Sequence, residues 1–407
     1  FGISGTNAHV ILEQPEAPEP PTAGETPTGL PLLLSAASPE ALAAQGERLA
    51  TRLETDPGLH LTDTAHTLAT TRALLPHRAV VLADNRDHAI NALRALADGS
   101  NAPHVVTGMA TPAGRGPVFV FPGQGSQWAG MARDLYTHEP TFRTALDTCA
   151  QALDPLTHWP LIPTLTSTDD TWLHHVDKIQ PALFAVMTSL AHLWTTNGIQ
   201  PAAVIGHSQG EIAAAHIAGI LTLNDAAHII TTRSTAMRHL TGHGGMATIN
   251  TTPHHIQQHL TDLDATIAAH NSPTTTVITG TPHALDQLTT RCRQHGLHIR
   301  RINVDYASHS PQVDTHHDEI ITALAGIHPQ PAQIPMISTV TGKPVQGPEL
   351  DATYWYTNLR QPVLFHQALT HLLNTGHHTT IETSPHPVLT PAIQETGNLT
   401  TLYTLRR

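Results

Sequence analysis

Hydrophobic and polar positions alternate along the chain in a way that predicts repeated strand and helix units. The apolar run Leu32 to Ser35 reads as a short strand. Ser38-Pro39-Glu40 follows, with a serine suited to cap a helix and a proline suited to its first turn, and the helix is expected to reach about Leu53. Helical spacing near Thr62 to Thr71, a strand at Arg78 to Leu82, a helix at Asp87 to Ala97 and a strand at His104 to Thr107 complete a small α/β unit. No catalytic residue types gather in it. Gly116 to Phe121 has the continuous apolar character of a strand covered on both faces, and it runs into the turn Pro122-Gly123-Gln124-Gly125-Ser126-Gln127-Trp128. Gln180 to Trp194 is apolar enough for a helix packed on a sheet. Ala202 to Ile205 is a strand that ends in Gly206-His207-Ser208-Gln209-Gly210-Glu211 and passes into an alanine-rich helix.

A second pattern begins after Leu223 to Leu240, which has helical spacing and carries Arg233, and after the break Gly242-His243-Gly244-Gly245. The order is strand (Met246 to Asn250), helix (Pro253 to Leu263), strand (Thr266 to His270), strand (Thr275 to Thr279), helix (Pro282 to His295), strand (Leu297 to Val304). That βαββαβ order is the ferredoxin-like split unit, here inserted into a larger domain. Asp305 to Pro311 returns the chain to that domain. Strand-like Pro335 to Thr339, the aromatic stretch Tyr354-Trp355-Tyr356 and Thr380-Ile381-Glu382 are expected to finish its sheet, and the tail to Arg407 is expected to be a linker. Before all this, Phe1 to Glu13 is glycine-punctuated and then apolar, and Pro15 to Pro31 is dense in proline and acidic residues, as linkers are.

Composition narrows the function classes. A chain of 407 residues exceeds one compact core, so two or three domains are expected. With Phe1 first, it reads as a piece cut from something longer. A net charge of −12 with 13% charged residues offers no basic footprint for nucleic acid and no polybasic membrane patch. Cys149 and Cys292 lie far apart, without the spacing of a disulfide framework or a zinc site, which suits a reducing, cytoplasmic setting. No run of 18 apolar residues and no targeting segment is read in the sequence. The 32 histidines are scattered, and pairs such as His316-His317 and His377-His378 read as compositional rather than as metal ligands.

The chemistry centres on Gly206-His207-Ser208-Gln209-Gly210, a Gly-x-Ser-x-Gly pentapeptide between a strand and a helix. Such a nucleophile elbow needs glycines because Cβ atoms would collide in the crowded turn. Ser208 Oγ is expected to project above the strand end, with the helix N-terminus and the Gln209 N–H aimed at a developing oxyanion. Gly123 and Gly125 lack both a third glycine and a Gly-Lys-Ser/Thr sequence, so a phosphate cradle is not expected there. The turn instead offers Gln124 at a strand's carboxyl end, where α/β sheets build sites. Among many histidines the residues alone do not select a base. His309 is favoured because it lies at a domain crossover.

Phe121 to Gln127, Gly206 to Glu211, Arg233-Ser234, Tyr306-Ala307-Ser308-His309 and Trp355-Tyr356-Thr357-Asn358-Leu359-Arg360, taken together and in this order, resemble the acyltransferase domain of a modular type I polyketide synthase. Phe1 to Glu13 resembles the end of a ketosynthase and contains no cysteine. The resemblance implies an α/β fold, with an α/β-hydrolase-like large subdomain, an inserted ferredoxin-like small subdomain and a small α/β linker domain in front. It divides the chain into a ketosynthase tail (1–14), a linker (15–31), a ketosynthase-to-acyltransferase linker domain (32–115), an acyltransferase domain (116–395) and a post-acyltransferase linker (396–407). The large subdomain would be 116–243 with 306–395, and the small one 244–305.

The family's roles then place Ser208 as nucleophile and His309 as general base and acid, oriented by a backbone carbonyl expected near Ser338 or Thr339. Gln124 and the Gln209 N–H would bind the oxyanion, and Arg233 would hold the carboxylate of a malonyl-type acyl group. The implied reaction takes an acyl group from CoA to Ser208 and on to the phosphopantetheine thiol of an acyl carrier protein. The implied partners are those two and the neighbouring ketosynthase, with no metal or redox cofactor. Tyr306-Ala307-Ser308-His309, with Gln209 after the serine, resembles the methylmalonyl-selective pattern, ahead of malonyl and ethylmalonyl. Asn271-Ser272-Pro273 departs from the usual Asn-Gly-Pro. Two rival classes are a serine hydrolase or editing thioesterase, against which Arg233 argues, and an inactive scaffold, against which the presence of Ser208, His309 and Arg233 argues.

Overall fold

The computed structural model describes Val10, Ile11, Glu13 and residues 29–110 and 114–407. The expected ketosynthase tail and proline-rich linker therefore fall almost wholly outside the described residues. The chain divides into two compact units at Pro112.

In the first unit, β1 (Leu30–Ala36), α1 (Pro39–Thr55), α2 (Leu61–Thr71), β2 (His77–Ala83), α3 (Arg86–Asp98) and β3 (Val105–Met109) follow in the predicted order. The strands form an antiparallel sheet, β1-β2-β3, in which Leu32 pairs with Val81 and Leu34 with Ala79. Those inward residues pack on Leu42, Ala50 and Leu53 of α1 and on Ala89, Leu93 and Leu96 of α3. Ser38 caps α1 by accepting from Ala41 N (3.2 Å), and Asn85 caps α3 by accepting from His88 N (2.9 Å).

The second unit begins with β4 (Val118–Phe121), the helices α4 (Arg133–His138), α5 (Pro140–Leu153), α6 (Leu161–Thr166) and α7 (Val176–Thr196), then β5 (Ala203–Gly206), α8 (Gly210–Ile217) and α9 (Leu223–His239). The inserted elements are β6 (Gly245–Ile249), α10 (Pro253–Gln257), β7 (Ala265–His270), β8 (Thr276–Gly280), α11 (Pro282–Gln294) and β9 (Ile299–Ile302). The return runs through α12 (His317–Ala323), β10 (Met336–Ile337), β11 (Pro344–Val345), α13 (Ala352–Arg360), α14 (Phe365–Asn374), β12 (Thr379–Glu382), α15 (Thr390–Thr396) and β13 (Thr400–Tyr403).

The large sheet has the order β11-β10-β5-β4-β12-β13, parallel except for β11. Its central strands are covered on both faces, and their side chains divide accordingly. Phe119, Phe121 and Val204 pack under α5, α7, α8 and α9, whereas Val118, Val120, Ala203 and Ile205 pack against α14, α15 and the small subdomain. The small sheet is antiparallel with order β7-β8-β6-β9, as a ferredoxin-like unit requires. Ala268, Ala269 and Val277 join it to the core of the large subdomain. The chain thus has an α/β-hydrolase-like large subdomain with a ferredoxin-like insert.

Three expectations are corrected. Tyr354-Trp355-Tyr356 is not a strand but part of α13, because Asp351 caps the helix by accepting from Tyr354 N (2.9 Å), and Tyr354, Trp355, Asn358 and Leu359 form one buried face. The stretch 396–407 is not simply a linker, since β13 adds to β12 in parallel and Thr404 accepts from Trp194 Nε1 at 2.9 Å. The helix expected to Leu263 ends at Gln257 and continues as turns.

Candidate active site

The elbow is built by the collision of two elements. β5 stops at Gly206 and α8 starts at Gly210, leaving three residues to reverse the chain. A Cβ on Gly206 would strike the backbone of Gly210 and Glu211, and one on Gly210 would strike the carbonyl of Phe121. Between them Ser208 takes a left-handed backbone (φ 56°), a conformation that costs a non-glycine residue about 1–3 kcal/mol. His207 N anchors the turn by donating to Phe121 O at 2.8 Å. Among the described residues no acceptor pairs with the Gln209 N–H, which stands free at the start of α8.

Ser208 Oγ lies 2.8 Å from His309 Nε2 and also accepts from Arg233 Nη2 at 2.8 Å. His309, the second non-glycine residue with a left-handed backbone (φ 58°), is buried. Its Nδ1 lies 2.8 Å from the carbonyl of Gln361, which sets Nδ1 as the protonated nitrogen and leaves the Nε2 lone pair for the serine hydroxyl. Burial first, and the Arg233 cation second, push the imidazole down to about 3, so it is neutral at physiological pH. The orienting carbonyl is therefore Gln361, just after α13, and not one near Ser338 or Thr339. Those two residues belong to the surroundings of Glu211 instead: Thr339 N and Oγ1 donate to its Oε1, and Tyr354 OH donates to its Oε2 while accepting from Ser338 Oγ.

Arg233, on α9, is 5% exposed, and burial lowers its guanidinium to about 10, which keeps it cationic. Nη1 donates to Asn358 Oδ1 (2.7 Å), and Nε is buried without a partner. Gln124 does face the site from the β4 turn, but Tyr306 OH donates to its Oε1 at 2.6 Å, so only the other end of the amide is uncommitted. The Gln209 side chain is buried with neither amide atom paired. Ser308 Oγ meets Met246 Sδ at 3.5 Å.

All seven predicted residues line one cavity of about 340 Å³. The small subdomain supplies its opposite wall, with Met246, Thr248, Val277, Arg300 and Ile302. A larger cavity, about 440 Å³, lies in the first unit between α1, α2 and β1, but it holds no nucleophile beside a base. Sequence reasoning missed Glu211, Asn358 and the pairing of His207 Nε2 with Asn271 Oδ1 (2.8 Å). Glu211 carried a usable signal, since a carboxylate in an otherwise apolar helix must find partners when buried. Among the described residues, no cluster of three metal-ligating side chains occurs and no helix is long and apolar enough to cross a membrane.

The profile of the family described as "Acyl transferase domain" matches residues 118–402. The chain belongs to this acyltransferase family. A second profile, "CurL-like, PKS C-terminal", matches residues 31–93, which is most of the first unit. The acyltransferase is 48% identical to the spectinabilin polyketide synthase system protein NorA' of Streptomyces orinoci, over 97% of this chain and 11% of that protein. It is 46% identical to the erythronolide synthase EryA3 of Saccharopolyspora erythraea, over 97% of this chain and 12% of that one. The chain thus spans about a tenth of the length of these relatives. Among solved structures, the acyltransferase domain from module 8 of the salinomycin polyketide synthase superposes with a TM-score of 0.91 at 45% identity, covering 93% of this chain and 91% of that one. The acyltransferase domain of SpnD, in complex with 2-(pent-4-yn-1-yl)malonyl, reaches a TM-score of 0.85 at 28% identity, covering 94% and 92%.

Proposed function

We propose that this domain selects a malonyl-type extender unit from CoA, with methylmalonyl first, and passes it through an ester on Ser208 to the phosphopantetheine thiol of an acyl carrier protein within a polyketide synthase. The observation that carries the reading is Ser208 Oγ held between a neutral His309 and a buried Arg233, each at 2.8 Å. His309 Nε2 takes the hydroxyl proton as Oγ bonds to the thioester carbonyl carbon. The Gln209 N–H and the Gln124 amide stabilise the oxyanion, the C–S bond breaks, and His309 returns the proton to the CoA thiolate. In the second half His309 deprotonates the carrier thiol as its sulfur bonds to the ester carbonyl carbon, the C–Oγ bond breaks, and Ser208 Oγ leaves with that proton. His309 carries every proton in both halves and no atom changes oxidation state, so the proposed reaction calls for no metal or redox cofactor. The reading places the protein in the cytoplasm, beside a ketosynthase domain.

Methylmalonyl is favoured by the wall around Ser308. Its Oγ already touches Met246 Sδ at 3.5 Å, so a phenyl ring at 308 would fill the space a Cα methyl needs. Competition between equimolar methylmalonyl-CoA and malonyl-CoA, read as the mass of the acylated enzyme, should give mainly the methylmalonyl adduct. One methyl is worth roughly 1–3 kcal/mol, or about 10- to 200-fold. Dominant malonyl loading contradicts the assignment. The double change Tyr306→His with Ser308→Phe should shift loading toward malonyl, and no shift would remove this loop as the selectivity element.

A further inference from the structure

A guanidinium has five N–H donors in a rigid fork, and in Arg233 most of them are unused. Nη1 is held by Asn358 Oδ1 at 2.7 Å, one Nη2 hydrogen is on Ser208 Oγ, and Nε is buried without a partner. Asn358, on α13 and 2% exposed, turns its other end away from the cation: Nδ2 donates to Glu211 Oε2 at 2.8 Å and to the Ser208 carbonyl at 3.2 Å. Glu211 is fully buried and is held by Thr339 and Tyr354 as well. A neutral amide therefore stands between a buried cation and a buried carboxylate, accepting from one and donating to the other.

The arrangement has a chemical consequence. A direct ion pair between Glu211 and Arg233 would fill the fork that an incoming carboxylate has to occupy. With the amide interposed, the countercharge stays within Coulomb range while no protein carboxylate occupies the Nε and Nη2 edge. We propose that Asn358, backed by Glu211, is the positioning residue that presents the Nε–Nη2 edge of Arg233 to the acyl carboxylate, so that discrimination between carboxylated and neutral acyl groups depends on it. This rests on the reading of Arg233 as the carboxylate partner. The carboxylate then binds side-on, through Nε and Nη2, while Nη1 stays on Asn358. The same Nη2 that contacts the nucleophile turns to the substrate, so arrival of the carboxylate and release of Ser208 Oγ are one event.

The test is single-turnover acylation, followed by intact mass, with two pairs of donors that differ by one carboxylate: malonyl-CoA against acetyl-CoA, and methylmalonyl-CoA against propionyl-CoA. In Asn358→Ala, the carboxylated donors should slow about tenfold or more, as expected for loss of a hydrogen bond to a charged group, and the neutral ones by less than about threefold. Labelling of Ser208 by a neutral fluorophosphonate should stay within about threefold of wild type. In Asn358→Asp the introduced carboxylate pairs directly with Arg233, and the carboxylated donors should slow at least as much as in Asn358→Ala, again with the neutral donors spared. If either variant does not fold, Asn358→Ser supplies the comparison. Equal slowing of charged and neutral donors, or no slowing of either, overturns the proposal and leaves Asn358 as support for the elbow. Failure of the wild type to form any acyl-enzyme overturns the functional reading itself, a different result.

Discussion

Ser208 Oγ lies 2.8 Å from both His309 Nε2 and Arg233 Nη2, and on the proposed reading the three residues divide the work of nucleophile, base and carboxylate partner. Both members of the Ser208–His309 pair have left-handed backbones, so the surrounding packing holds them against local preference. Burial makes the histidine a neutral base and leaves the arginine a desolvated cation. Such a cation suits a carboxylated acyl group and penalises a neutral one. Arg233→Ala should therefore reverse acyl preference toward acetyl and propionyl. The carboxylated donors lose a charge-assisted pair on the order of 1.5–3 kcal/mol, about 10- to 150-fold in loading. Equal losses for both kinds of donor would make Arg233 a structural residue.

Elements with strong period or punctuation were legible in the sequence, and those fixed by tertiary contact were not. The strand, elbow and helix from Ala203 to Ile217 followed from an apolar run ending in two spaced glycines. The inserted βαββαβ order was readable because each helix opens with Thr-Pro at Thr252-Pro253 and Thr281-Pro282, where the threonine caps the helix. Tyr354-Trp355-Tyr356 misled because aromatic residues favour strands, while Asp351 and the spacing of the buried residues decided for helix. The carbonyl that orients His309 lies 52 residues downstream at Gln361, and no local pattern marks a backbone acceptor. Glu211 and Asn358 are 147 positions apart and meet only in the folded chain. β13 was unreadable because Thr400 to Tyr403 is short and half exposed, and its reason to be a strand is the free edge of β12. Removing 397–407 should expose that edge and leave Trp194 Nε1 without its acceptor, Thr404. We expect a Tm lower by several degrees and a greater tendency to aggregate; an unchanged Tm would mean that β13 adds nothing to the sheet.

At the scale of the whole molecule, the site's burial ties its chemistry to acid stability. His207, His216 and His309 are all shifted down chiefly by burial. In the unfolded chain they take up protons as the pH falls below about 6.5, and in the folded chain they do so only at lower pH. Their contribution is complete above pH 6.5 and is lost on acidification, at up to about 1.4 kcal/mol per pH unit for each. Glu211, raised by burial, acts in the opposite sense above its ordinary value of 4.5, but it is one group against three. Thermal unfolding followed from pH 7.5 to 5 should therefore show a steep fall in Tm below pH 6.5, and a flat profile would contradict the buried neutral histidines. The central claim, an acyl ester on Ser208 that a thiol can collect, is met most directly by mapping the adduct. The wild-type protein is mixed with methylmalonyl-CoA, digested and sequenced by mass spectrometry, then chased with a phosphopantetheinylated carrier protein. One acyl group is expected on the peptide containing Ser208, none in Ser208→Ala, and its transfer to the carrier thiol on chase. An adduct on another residue, or one that persists in Ser208→Ala, would contradict it.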